Sequence, residues 1–125
     1  MPEKLLIVMV NTDPSDPPEL GAPFFQATAA AALDYAVEVI LAGGAGLLAR
    51  KGVAAAITIL PGSGTSVYGF IKDAHQAGVR FLVCDTALGP HHMTRADLIP
   101  EIQDIVDDTY IVMQAMSDGV VTFTY

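Results

Sequence analysis

The chain has 125 residues, 52% of them apolar and 16% charged, with a formal charge of −8. This length suits one compact domain, and the acidic balance argues against a surface built to hold the phosphate backbone of a nucleic acid. No apolar stretch reaches the roughly 18–20 residues that a spanning helix needs.

The mean hydropathy of +0.46 is high for a small non-membrane domain. The surplus apolar surface is therefore expected in the interface of a homo-oligomer. MPEKLLIVMV at the N-terminus carries Glu3 and no signal-like flanks. One cysteine, Cys84, forms no internal disulfide and fits a reducing, cytoplasmic setting.

In chain order, Lys4–Val10, KLLIVMV, is the continuous apolar run of a strand buried on both faces. Asp, Pro and Gly crowd the next segment, NTDPSDPPELGAP, into a loop. Phe24–Asp34 is alanine-rich and predicts a helix. AVEVILA, from Ala36, predicts a second strand, and GGAGLLARKGV a turn into a short helix. Ala55–Leu60, AAITIL, reads as a weaker strand before the breaker PGSG. Ser66–Ala77 places Val67, Phe70, Ile71 and Ala74 at helical spacing, with Gly78 as the C′ stop.

VRFLVC, ending at Cys84, predicts another strand. Thr94 and Asp97 resemble a capping box opening a short helix, RADLIPEI. Asp108 is placed to cap a last helix, TYIVMQAM, before a terminal strand, VVTFTY. The alternation predicts a single α/β domain over residues 1–125: three layers, with a mostly parallel five-stranded sheet flanked by helices.

Two glycine-rich segments invite a nucleotide reading and fail it. GAGLLA, Gly44–Ala49, matches a loose dinucleotide fingerprint, but the expected carboxylate about 20 residues on is missing from TILPGSGTS. A tight strand-to-helix turn explains it better. PGSGTS lacks the lysine and spacing of a phosphate loop, and a helix N-cap at Thr65 or Ser66 suffices. His91 and His92, with His75, Cys84 and Asp85, do not have metal-ligand spacing, so no metal is expected.

Cys84 poses the main question. Unpaired cysteines are among the residues most often buried as inert hydrophobes. Yet this one ends its strand immediately before DTALGP, and ligands in open α/β sheets gather at the carboxyl ends of strands. A thiolate there would gain from the N–H groups of a following turn and from positive charge on His91, His92 or Arg95, while Asp85 opposes it. The loops after Val10, Ala42, Leu60 and Cys84 are expected to line a pocket that includes Asn11, Gly43 and Gly44.

Three segments carry a family resemblance. Gly21–Val53, Ala77–Leu88 with its strand-ending cysteine followed two residues later by Thr86, and the closing TYIVMQAMSDGVVTFTY together resemble the DsrE/DsrF/TusD-type sulfur-relay proteins. The resemblance implies a DsrE-like domain assembled as a trimer or hexamer. It also implies a sulfurtransferase or sulfur carrier without cofactor, in which Cys84 takes sulfane sulfur as a persulfide. The sulfur would come from a rhodanese-like donor or pass to a TusA-type carrier, in sulfur oxidation or thiolation. The bland alternatives are a non-catalytic subunit in which Cys84 packs, and a small-molecule-binding module of the same fold.

Overall fold

The computed structural model describes residues 2–125. Among these, five strands form one parallel sheet: β1 (Lys4–Met9), β2 (Ala36–Leu41), β3 (Arg80–Cys84), β4 (Ile102–Val106) and β5 (Val120–Thr124). Their order across the sheet is β4-β3-β2-β1-β5. The chain steps outward from β1 to β4, then crosses back to add β5 beside β1. Helix α1 (Ala22–Ala32) links β1 to β2, α2 (Val67–Gln76) lies between β2 and β3, and α3 (Asp108–Ala115) makes the long return from β4 to β5.

The three central strands are the most apolar runs, broken inside only by Glu38 of β2, as burial on both faces of a parallel sheet requires. Leu5, Ile7, Met9, Val37, Val39, Leu41, Phe81 and Val83 face α1 and α2, where the Phe24 and Phe81 rings lie 6.2 Å apart. The other face buries Leu6, Val8, Ile40, Ala42, Leu82 and Cys84, and α3 covers it through Tyr110, Ile111 and Ala115. An eight-residue helix is about 12 Å long, whereas five strands span about 19 Å. One short helix therefore covers part of this face, and none of its own residues is fully buried.

The structure corrects three expectations. Ala55–Leu60 is not a strand: Ala54–Ala56 is a 3-10 turn, and Thr58 makes a single antiparallel bridge to Ser66. The sheet's fifth member is instead Ile102–Val106. A register shift opposite Phe81/Leu82 breaks its period-two pattern, leaving Ile102 and Ile105 at a spacing that mimics a helix. RADLIPEI forms only the 3-10 turn Arg95–Asp97, because Pro100 lacks an N–H and disfavours helical backbone at Ile99. The Thr94–Asp97 box is present, with the Thr94 N–H 2.8 Å from the Asp97 carboxylate. Finally, α3 is capped by Asp107, whose carboxylate accepts the Tyr110 N–H at 2.8 Å, and Asp108 is its first residue. Ser66 caps α2, and Gly78 follows it at φ +106.

Candidate functional site

Cys84 is the last residue of β3 and pairs with Val106 of β4. Its side chain points to the α3 face and is 1% exposed. The backbone turns at once into the 3-10 turn Asp85–Ala87, which brings the Thr86 Oγ1 within 3.2 Å of Sγ. The Asp108 Oδ1 lies 3.5 Å from Sγ and the Asp85 Oδ1 3.9 Å away. Thr86, Asp85 and Asp108 are themselves exposed. The sulfur is thus one side chain deep, beneath a hydroxyl and two carboxylates. A thiol is a weak donor and a thiolate an acceptor, so this setting engages the S–H through oxygen acceptors.

His91 occupies the other face of the same edge. His91 Nε2 meets the Gly43 carbonyl at 2.8 Å, and its ring lies beside the turn that holds Gly46 and Ala87. Ala45, Leu48 and Ala87 belong to the α1/α2 core, whereas Cys84 belongs to the α3 core. Arg50 Nη2 donates to the carbonyls of His91 (3.0 Å) and His92 (2.8 Å), holding His92 in the left-handed region at φ +53. Among the described residues no hydrogen bond joins His91, His92 or Arg95 to Sγ. His75, near the end of α2, sits toward the amino end of β3, away from Cys84.

Asn11, Gly43 and Gly44 do come together, where β1 ends. Asn11 donates its N–H to the Tyr125 carbonyl at 2.9 Å. Gly43 adopts φ +52, and a Cβ there would stand 2.6 Å from the Val10 carbonyl oxygen. Gly43–Ala49 is a 3-10 helix, so the glycine cluster serves as a close-packed turn against β1. The structure brings His91 to Gly43, and Thr86 and Asp108 to Cys84.

Two features of the α3 face escaped the sequence reading. Asp108 reaches the thiol because Val106 is paired with Cys84, so the residues after β4 emerge beside the end of β3. Recognising β4 would have revealed it. The second is a buried polar network around Glu38, which is 3% exposed. Glu38 Oε1 lies 2.9 Å from Lys4 Nζ and accepts the Tyr110 hydroxyl at 2.7 Å, while Arg80 pairs with Oε2. Lys4 also donates to Gln114 Oε1 at 2.7 Å, and Arg80 to Gln103 Oε1 at 2.7 Å. A charge inside the apolar run AVEVILA was its sequence signal. Burial raises the Tyr110 phenol above the ordinary tyrosine range, and the Glu38 hydrogen bond and charge add to this.

The DsrE/DsrF-like family model matches residues 4–123. No curated protein matches the chain. Among solved structures it is similar to the protein of unknown function MTH1491 from Methanobacterium thermoautotrophicum, at 16% identity over 98% of each chain with a TM-score of 0.65. At that identity the likeness is one of fold. The chain carries one cysteine, placed at the carboxyl edge of the fold that the sequence and structure both indicate, and it belongs to the DsrE/DsrF-like family, whose members are generally sulfur-relay proteins.

Proposed function

We propose that the protein is a sulfur carrier that holds sulfane sulfur on Cys84 as a persulfide and hands it to a thiol of a second protein. The observation that carries this reading is the chain's single cysteine at the carboxyl end of β3 in a DsrE/DsrF-like domain, its sulfur one side chain below solvent. The Cys84 sulfur attacks the outer sulfur of a donor persulfide. A new S–S bond forms at Sγ, the donor's S–S bond breaks, and the donor sulfur leaves as a thiolate that takes up the proton Cys84 gives up. In the second half an acceptor thiolate attacks the outer sulfur, and Cys84 leaves in turn. No electrons are gained or lost overall, so the cycle calls for no redox cofactor. With one cysteine in the chain, no neighbouring thiol discharges the persulfide into an internal disulfide.

A TusA-type carrier is the acceptor this reading favours, and the formal charge of −8 suits a basic docking face on it. Exposed apolar side chains, among them Leu33 at 70% and Met116 at 80%, support assembly as a homo-oligomer, a trimer or hexamer. Intact-protein mass spectrometry after brief polysulfide treatment tests the proposal. Wild type is expected to gain sulfur atoms that reductant removes, and Cys84→Ser to gain none. The 1% exposure of Cys84 favours a second reading, a non-catalytic subunit. A folded wild type that stays unmodified establishes that one instead.

A further inference from the structure

We propose that α3 is a hinged cover over Cys84, latched by the Tyr110–Glu38 and Gln114–Lys4 hydrogen bonds, and that opening of this latch sets how fast the thiol is reached. The proposal concerns access to the sulfur and rests on the sulfur-transfer reading for its use.

The sulfur lies on the α3 face, beneath the exposed Thr86 and Asp85 of its own turn and Asp108 of α3, and a reagent that comes from that face meets α3. There Tyr110, Ile111 and Ala115 lie over the cluster that contains Cys84, and Asp108 touches Sγ. The cover is thin. No residue of α3 is fully buried, and Val112, Met113 and Met116 point to solvent. Apolar burial is a weak fastening here, and the specific attachments are polar. Tyr110 and Gln114 stand four residues apart on one side of the helix, and both reach down to the network on β1 and β2.

Release strands no buried charge. Glu38 keeps Lys4 and Arg80, both on strands, when Tyr110 leaves. Lys4 likewise keeps Glu38 when Gln114 leaves. The lost partners are a neutral hydroxyl and a neutral amide, both of which water replaces. The sheet is also independent of the helix, because β4 pairs with β3 and β5 with β1. The segment has breakpoints at both ends. Asp107, in extended backbone, precedes α3, and Gly119 follows it at φ +78, its carbonyl held by the N–H groups of Glu3 and Lys4. Local opening of such a segment is drawn from the low-stability end of a structure.

The test is the rate of iodoacetamide alkylation of the full chain, followed by intact mass, for wild type, Tyr110→Phe, Gln114→Ala and the double variant. Alkylation forms an S–C bond, releases iodide and passes the thiol proton to buffer. Wild type is expected to react about ten- to a thousandfold more slowly than the urea-unfolded chain, the protection that a minor open state gives. Tyr110→Phe is expected to react about tenfold faster than wild type, as loss of one hydrogen bond to a charged group implies. The double variant should exceed both, with amide-exchange protection of β1, β2 and β3 unchanged.

Three alkylation results overturn the proposal: wild type reacting like the unfolded chain, the variants reacting like wild type, or acceleration that tracks loss of protection in the strands. Polysulfide loading of the same samples separates this idea from the sulfur reading. Accelerated alkylation without any sulfur gain defeats the sulfur reading and leaves the cover standing. Sulfur gain at equal rates in all four proteins defeats the cover alone.

Discussion

The edge that holds Cys84 is shaped by a single glycine, Gly46. A Cβ on Gly46 would stand 2.5 Å from the Ala87 Cβ, far inside contact distance, and neither atom has a rotatable bond to move it away. The turn Asp85–Ala87 can therefore lie against the Gly43–Ala49 helix only while position 46 carries no side chain. Gly46→Ala is expected to cost about 2 kcal/mol, read as a lower urea midpoint at constant slope, because forced overpacking costs about 1–3 kcal/mol. An unchanged midpoint would mean that the turn moves freely.

Among the elements, α3 carries the most consequence for its length. Asp107→Ala removes the acceptor of the Tyr110 N–H and is expected to destabilise the protein by about 1 kcal/mol in equilibrium unfolding. The same replacement at Asp108, which caps nothing, should leave that component intact. Burial raises the phenols of Tyr110, Tyr68 and Tyr125 above the ordinary value, so the folded protein keeps protons that the unfolded chain loses. Stability from these groups is complete below about pH 10 and declines as pH rises through their folded values. Urea midpoints measured on either side of that pH should show a smaller alkaline loss in Tyr110→Phe than in wild type, and equal losses would exclude Tyr110 from the effect. The elements differed in legibility for a physical reason. Lys4–Met9, Ala36–Leu41 and Arg80–Cys84 are buried on both sides and write an apolar run into the sequence. β4 is a half-exposed edge with an irregular register, so IQDIV has no comparable pattern.

For the whole molecule, the missing cover is the guiding observation. A parallel sheet is ordinarily buried on both faces, yet α3 spans only part of one, and β5 leaves Val121 and Phe123 exposed on the other. Beside them lies a groove of about 360 Å³, with Leu33 and Tyr35 on its rim. No helix among the described residues is long and apolar enough to cross a membrane. Sedimentation equilibrium is expected to return three or six times the 13.1 kDa mass of the chain. A monomer at micromolar concentration would overturn the homo-oligomer reading.

From the amino acids alone came the α/β class, the three central strands, the helix at Ser66, a last helix placed one residue late at Asp108, and the position of Cys84 at a strand's carboxyl end. Each is a local property, set by periodicity, turn chemistry and capping within a few residues. The tertiary structure decided what touches the sulfur. His91, seven residues from Cys84, is on the opposite face of the sheet, while Asp108, twenty-four residues away, lies 3.5 Å from Sγ. Strand order causes this inversion. Pairing β4 beside β3 brings the start of α3 over the cysteine, whereas the chain leaving Cys84 folds at once toward the other layer.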